Sequence, residues 1–250
     1  MISIITATFN QREDFERFYR SICKNTLNEF ELVVVDNNSK DGTRDVLRTI
    51  EITDPRVRVK WLNDNYGEGT AVRIGMQMAN GEILKCDPDI EVPYGWDESF
   101  FSYYNQFPEG VRAKIGTISA RQQFVLGWKS KEIEIEGFAL TAYETILGAC
   151  FYIPRQTIEI CGYWEDFLFY GINESVFATK LQLMGLYSIL HPDLVIKHYQ
   201  SFANQKPRDL QVLYSIQSEA FRAYREFWKS RGRSFIGGLL EGDKDANRHR

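Results

Sequence analysis

In the stretch EILKCDPDIEV, residues 82–92, Asp87 and Asp89 place two carboxylates on either side of Pro88, directly after a run that reads as a buried strand. Carboxylate oxygens are the ligands that hard divalent cations prefer. The pair could therefore hold an ion and, through it, a phosphorylated substrate. Aspartate and proline are equally the residues of a tight turn, and the pair alone leaves both readings open. Other polar clusters accompany it: Thr6, Thr8, Phe9 and Asn10 in TATFN; Asp36, Asn38 and Ser39 in VDNNSKDGT; Asn63, Asp64 and Asn65 ahead of Gly67 and Gly69 in NDNYGEG. The VDNNSKDGT cluster could be only a turn and a helix cap. NDNYGEG has the spacing of neither the dinucleotide fingerprint nor the phosphate-binding loop.

These clusters share a position relative to the elements around them. ISIITAT (2–8), FELVVVD (30–36), RVRVKWL (56–62) and GEILKCD (81–87) read as strands, and FELVVVD is nearly all apolar, as strands buried on both faces are. Between them Phe15, Phe18 and Ile22, then Val46, Leu47 and Ile50, then Val72, Met76 and Ala79 recur at helical spacing. Asn10, with Glu13 three residues on, gives the first helix a capping box. This alternation predicts an α/β fold with a mostly parallel sheet flanked by helices. Ligands of such sheets bind beyond the carboxyl ends of the strands, and each polar cluster falls at one of those ends.

Residues 92–145 are rich in aromatics and glycine, and QQFVLGWKSKEIEIEGFAL alternates like a hairpin. Trp96 and Trp128 in this segment are either packing residues or stacking surfaces for a sugar. Beyond it, ILGACFYIP reads as a strand, 172–184 as a helix with Phe177, Leu181 and Met184 inward, and PDLVIKHY as a strand ending near His198. His191, before Pro192, reads as a loop residue. Residues 208–229 form an amphipathic pattern ahead of a polar tail, and no repeat or linker divides the chain, which predicts one domain.

The 250 residues are 44% hydrophobic and 26% charged, with a net charge of −4. These values are ordinary for a globular protein and lack the basic stripe of a nucleic-acid binder. No apolar run reaches the roughly 18 residues that span a bilayer, and ISIITATF begins at once as a strand rather than as a cleavable leader. Cys23, Cys86, Cys150 and Cys161 lack the paired spacing of a zinc site and read as reduced thiols of a cytoplasmic protein.

Taken in order, SIITATFNQ, ELVVVDNNSKDGT and NYGEGTAVRIGMQMANGEILKCDPD resemble the nucleotide-diphosphosugar-binding half of family 2 glycosyltransferases of the GT-A fold. The resemblance covers about residues 2–200 apart from 92–145. It implies a single GT-A domain with a small antiparallel element and a C-terminal helix. Residues 1–91 would bind the nucleotide sugar, 92–207 the acceptor, and 208–250 would form the helix and tail. By the same resemblance Phe9 stacks on the nucleobase and Asp36 bonds its edge. Thr6, Ala7, Thr8, Asn10, Asn38, Asn65, Gly67, Arg73, Asp87 and Pro88 complete the donor site, although Arg73 could equally face solvent. Asp87-Pro88-Asp89 stands where the family has its DxD motif, so Asp89 would bind Mn²⁺ or Mg²⁺ and Asp87 would face the ribose or a metal-bound water. His198 stands where many GT-A enzymes complete the metal shell with an imidazole, which would favour Mn²⁺.

The pattern departs from the family at CGYWEDFLFYGINESVFATKL. Inverting members carry a Glu-Asp pair whose Asp is the general base, and here the pair is Asn173-Glu174. Glu174 becomes the candidate base, with Glu165, Asp166 or a retaining mechanism that needs no base as alternatives. TILGACFYIPR resembles the acceptor-side strand, with Gly148 and Ala149 small where a sugar ring would approach the backbone, and Trp128 is a further acceptor-side candidate. The implied donor is a UDP- or dTDP-sugar, and the implied acceptor a saccharide or lipid-linked hydroxyl. Peripheral contact with a membrane stays open.

Overall fold

A computed structural model describes residues 1–123, 130–164 and 173–199, with the backbone of 234–236 and 239–241. The chain begins with β1 (Ile2–Thr8), α1 (Arg12–Asn25), β2 (Phe30–Asp36), α2 (Thr43–Thr53), β3 (Val57–Trp61), α3 (Gly67–Met78) and β4 (Glu82–Cys86). It continues with β5 (Ile90–Glu91), α4 (Trp96–Asn105), α5 (Glu109–Arg112), β6 (Ile115–Gln122), β7 (Ser130–Ile135) and β8 (Phe138–Tyr143). Then come β9 (Cys150–Ile153), α6 (Arg155–Cys161), α7 (Asn173–Leu183) and β10 (Tyr187–His198). An antiparallel ribbon, β11 (Ser234–Ile236) with β12 (Leu239–Glu241), lies in the stretch read as tail. The helix expected over 208–229 lies outside the described residues.

The main sheet has the order β3-β2-β1-β4-β9-β6-β10-β8-β7, with β5 paired to β10. β1 pairs parallel with β2 and β4, and β2 with β3. β9 runs antiparallel to both β4 and β6, while β10 is parallel to β6 and antiparallel to β8. Two reversals across β9 restore the direction, so β6 and β10 point the same way as β4. The carboxyl ends of β1, β2, β3, β4, β6 and β10, and the amino end of β9, therefore share one edge of the sheet.

Strand alternation decides what packs on each face. All seven residues of β2 are buried: Leu32 and Val34 join Phe15, Phe18 and Ile22 of α1 and Leu47 of α2. Val33 faces the other way, with Ile5, Val72 and Met76 of α3 and Phe177 and Leu181 of α7. Helix α3 lies so close to β1 that a Cβ on Gly75 would run into Ile5 Cγ2, a fully buried atom group. Gly75→Ala gains roughly 1 kcal/mol of helix preference but meets overpacking of about 1–3 kcal/mol. A lower urea midpoint at unchanged m-value is the expected result.

Several local expectations are corrected. α1 is capped at Gln11 without a side-chain hydrogen bond, so Asn10 forms no capping box. Asn10 instead takes a left-handed φ of 54° and uses its Oδ1 to accept from Lys40 N at 2.7 Å. His191 is not in a loop but buried within β10. Its Nδ1 accepts from the backbone N–H of Asp193 at 3.2 Å and Leu194 at 3.0 Å. This carries the strand through a bulge at the Pro192 position, where the ladder shifts register. Met184 lies beyond the end of α7 and is 53% exposed, and Trp96 is wholly buried with its Nε1 donating to Thr26 Oγ1. Within 92–145 the hairpin is β7–β8, but helices α4 and α5 and the buried strand β6 precede it. Asp97 on α4 is buried and accepts from Leu27 N and from Asn28 N and Nδ2, which ties α4 to the end of α1.

Candidate functional site: a carboxylate cluster at the strand edge

Where β4 ends, Asp87 N donates to the Ala149 carbonyl at 2.8 Å, which holds the turn against the start of β9. Asp89 then leads into β5, whose pairing sets Ile90 opposite His198. Tyr199 N donates to the Asp89 carbonyl at 2.9 Å, and His198 Nε2 comes to 3.3 Å from Asp89 Oδ1. Residues more than 100 positions apart thus meet because a two-residue strand delivers one to the other.

Asp87, Asp89 and His198 offer ligand atoms that all lie within 4.8 Å of one another. A hard cation at about 2.1 Å from each ligand needs separations of about 4.2 Å or less, so small side-chain rotations would close the set. Gln122, at the end of β6, brings its Oε1 to 2.9 Å from His198 Nδ1. With Nδ1–H donated there, Nε2 faces Asp89 with either a proton or a metal between them. This is the outer-shell arrangement of metal-binding imidazoles. Burial pulls the imidazole down, but the hydrogen bond and charge of Asp89 outweigh it, so His198 titrates above its ordinary value. The residues fit a divalent cation with oxygen and imidazole ligands.

On the other side of Asp87 stands Lys85, only 1% exposed. Burying an ammonium is costly unless its three protons are met. Here Nζ donates to Glu68 Oε1 at 3.1 Å, to the Gly148 carbonyl at 3.0 Å and to Asp87 Oδ1. Glu174 Oε1 lies 3.8 Å away, and the rings of Phe151 and Trp164 are each 5.6 Å from the ammonium. Glu174 sits in the first turn of α7, pressed so closely on Gly148 that a Cβ there would overlap its carboxylate. Asn173 beside it is buried, and its amide has no hydrogen-bond partner among the described residues.

One ammonium and one imidazole therefore face four carboxylates: Glu68, Asp87, Asp89 and Glu174. Burial first, then the charges of Asp89 and Glu174, push Asp87 up to about 6 against the pull of Lys85. Burial and then Glu68 push Glu174 up to about 7, again opposed by Lys85. Burial raises Glu68 as well. For Lys85, burial is outweighed by Asp87, Glu68 and Glu174, and it stays protonated.

The ends of β1 and β2 form a second polar group. Register sets Thr8 beside Asp36 and Asp36 beside Trp61. Asp36 is wholly buried and accepts from Arg44 Nε at 2.5 Å and from the amides of Asn38 and Ser39. Asn38 has a left-handed φ of 65°. Thr6 and Thr8 are buried, with hydroxyls that find no hydrogen-bond partner among the described residues, while Ala7 and Phe9 are half-buried. Asn65 Oδ1 accepts from Gly67 N, and Asn37 ties this loop to β2 by donating to the Gly67 carbonyl and accepting from Tyr66 N. Arg73 Nη1 donates to the Trp164 carbonyl at 3.4 Å. Trp128, Glu165 and Asp166 lie outside the described residues. A separate cleft of about 700 Å³ between α1 and β5, lined by Arg17, Arg20, Lys24, Glu91 and Tyr199, holds none of the four carboxylates.

Lys85, Glu68, Asn37, Arg44 and Gln122 were not anticipated. The signal for Lys85 was in plain view, since a lysine inside the apolar run EILKC must find acid partners once buried. Glu68, inside NYGEG, stands between two glycines of a loop-like segment and carries no pattern that marks it as a partner of Lys85.

A family model described as glycosyl transferase family 2 matches residues 3–146. The putative teichuronic acid biosynthesis glycosyltransferase TuaG of Bacillus subtilis is 33% identical over 84 residues, 34% of this chain and 33% of that protein. The GalNAc(5)-diNAcBac-PP-undecaprenol beta-1,3-glucosyltransferase of Campylobacter jejuni is 32% identical over 97 residues, 38% of this chain and 31% of that protein. The chain thus spans about a third of the length of the curated relatives it matches. Among solved structures, the mannosyltransferase PcManGT from Pyrobaculum calidifontis in complex with GDP-Man and Mn²⁺ has a TM-score of 0.63 at 18% identity, over 88% of this chain and 64% of that one. S. aureus TarS 1–349 in complex with UDP-GlcNAc has a TM-score of 0.59 at 17% identity, over 78% of this chain and 57% of that one. This likeness is one of fold, the α/β GT-A arrangement.

Proposed function

This chain belongs to glycosyl transferase family 2, and from that premise we propose that it moves a sugar from a nucleoside-diphosphate sugar to a hydroxyl acceptor, with inversion. The observation that supports this most is the charge imbalance at the strand edge: four carboxylates against one ammonium and one imidazole, with three ligand atoms already gathered at Asp87, Asp89 and His198. Such a site favours a divalent cation, Mn²⁺ or Mg²⁺. When bound, the cation supplies Lewis-acid stabilisation of the departing diphosphate.

The remaining work falls to the chain's own residues. Phe9 stacks on the nucleobase, and Asp36 accepts from its edge, which suits the imide N–H of uracil or thymine and requires Arg44 or the Asn38–Ser39 turn that encloses the carboxylate to give way. Thr6, Ala7, Thr8, Asn10, Asn38, Asn65, Gly67, Arg73 and Pro88 surround the nucleotide, so residues 1–91 form the donor half. Residues 92–207 form the acceptor half, with Gly148, Ala149 and Trp128 on the acceptor side. Glu174 takes the proton from the acceptor hydroxyl as it attacks the anomeric carbon. A carboxylate raised to about 7 is well matched to a hydroxyl that acidifies only in the transition state.

The acceptor is a saccharide or a lipid-linked saccharide. The undecaprenol in the name of the C. jejuni relative supports the second. No helix among the described residues is long and apolar enough to cross a membrane, and the reading places the protein at the cytoplasmic side, in peripheral contact with lipid. The test is release of nucleoside diphosphate from a panel of UDP-, dTDP-, GDP- and CDP-sugars with Mn²⁺, followed by NMR of the anomeric configuration of the product. Release from one donor class with inverted configuration is expected. No release from any donor contradicts the reading, and retained configuration removes Glu174 as base.

A further inference from the structure

We propose that Lys85 is the positioning residue of this site: a buried strut that sets the distance between the donor-side carboxylate Asp87 and the acceptor-side base Glu174. The inference rests on the glycosyltransferase reading above and adds a residue to it. Lys85 occupies the fourth position of a strand whose other inward residues are apolar, and its side chain is almost wholly enclosed. Every proton of its ammonium has a partner on a different element. Glu68 stands on the first turn of α3, Asp87 follows β4, and the Gly148 carbonyl precedes β9. Three segments that approach from separate parts of the chain are thus referenced to one nitrogen, which the Phe151 and Trp164 rings flank.

Glu174 belongs to this frame without being one of its hydrogen-bond partners. Its carboxylate is 3.8 Å from Nζ and is packed against Gly148, whose carbonyl Lys85 holds. Lys85 therefore fixes both the surface on which Glu174 rests and the charge it faces. Of the three proposed cation ligands, Lys85 donates to Asp87, so its loss releases that carboxylate as well as Glu174 from their common reference. A misplacement of about 1 Å between reacting groups costs on the order of 10²-fold in rate. The loss of the strut should therefore appear chiefly in kcat, with a smaller change in the donor KM through the freed Asp87.

The experiment uses acceptor-independent hydrolysis of whichever nucleotide sugar the wild-type chain cleaves fastest, with Mn²⁺. Lys85→Met is expected to lower kcat about 50-fold or more, with the donor KM and Mn²⁺-dependent UDP binding moved by less than about tenfold through Asp87. Because Lys85 acts through Glu174, adding it to Glu174→Gln should cost no more than about a further threefold, where independent roles would multiply. Should Lys85→Met fail to fold, Glu68→Gln carries the test, since it weakens one anchor of the ammonium, leaving a neutral oxygen where a charged one accepted, without changing side-chain shape. Its expected kcat is about 5- to 10-fold below wild type at unchanged KM. Wild-type kcat in the folded variant, a loss confined to KM, or losses that multiply with Glu174→Gln would each overturn the role of Lys85 and leave the glycosyltransferase reading standing. A wild-type chain that cleaves no nucleotide sugar overturns both.

Discussion

Asp89→Asn is expected to abolish cation-dependent nucleotide binding while the chain stays folded. The substitution keeps the shape of a 4%-exposed side chain and can still meet His198 by a hydrogen bond. The backbone of residue 89, which accepts from Tyr199 N, is untouched. What is lost is the charged oxygen that, with Asp87 and His198, forms the proposed cation site. Loss of even an outer-shell partner weakens metal sites by about 10- to 100-fold, so removing a ligand should weaken Mn²⁺-dependent UDP or dTDP affinity by roughly 100-fold or more. Titration calorimetry in the presence of Mn²⁺ measures this directly. A variant that binds nucleotide as wild type does would remove Asp89 from the site.

Glu174→Gln should leave donor binding nearly unchanged and lower kcat by about 10²- to 10⁴-fold, the usual contribution of a positioned general base. The pH dependence follows from the raised carboxyl. Activity needs the ionised form, so wild-type kcat/KM should rise with pH through a limb at or below about 7. A bound cation can only lower that limb, since added positive charge favours the carboxylate. In the Gln variant the limb should vanish. Stability moves in the opposite direction. The folded chain holds this proton more tightly than the unfolded one, where the ordinary value is 4.5. The group's favourable contribution is complete below that value and is lost as pH rises through about 7. Glu174→Gln removes the loss, so at pH 8 the variant should unfold at a temperature no lower than wild type. A variant with full turnover would take Glu174 out of the chemistry.

The donor side of the fold was legible because its inner strands, β1, β2 and β4, are buried on both faces. Leu32, Val33, Val34 and Val35 form an unbroken apolar run that only an inner parallel strand explains. The strand ends followed from topology, and with them Asp36, Asp87 and Asp89. Helix α4 was not legible. Its inward Trp96 and Phe100 sit among Phe101, Tyr103 and Tyr104, and a run of aromatics on both faces blurs the helical period. The course of β10 through His191 and Pro192 was hidden for another reason. The bulge is stabilised by an imidazole that accepts two backbone N–H groups, and no pattern of apolar residues announces that. His198 could be placed at a strand end, but its meeting with Asp89 depends on the two-residue pairing of β5 with β10, which is too short to leave a periodic trace.

The charge balance of the site leaves no trace in the sequence for a related reason. Asp87 and Asp89 are two residues apart in sequence, whereas Glu68 and Glu174 reach the ammonium beside Asp87 from helices on the α3–α7 face of the sheet. Sequence shows which residues are acids. Only the fold shows that four of them share one buried lysine and one histidine, and that this excess of negative charge is what a divalent cation would answer.

Sugar transfer at this site requires that the cation bring in a nucleotide. Isothermal titration of UDP, dTDP, GDP and CDP into the chain, once with Mn²⁺ and once with EDTA, tests it without knowledge of sugar or acceptor. The expected result is binding of UDP or dTDP with Mn²⁺, weakened roughly 100-fold by EDTA and lost in the same way in Asp89→Asn. Nucleotide binding that is indifferent to metal, or no binding of any of the four, would contradict it and leave Asp87-Pro88-Asp89 as a turn.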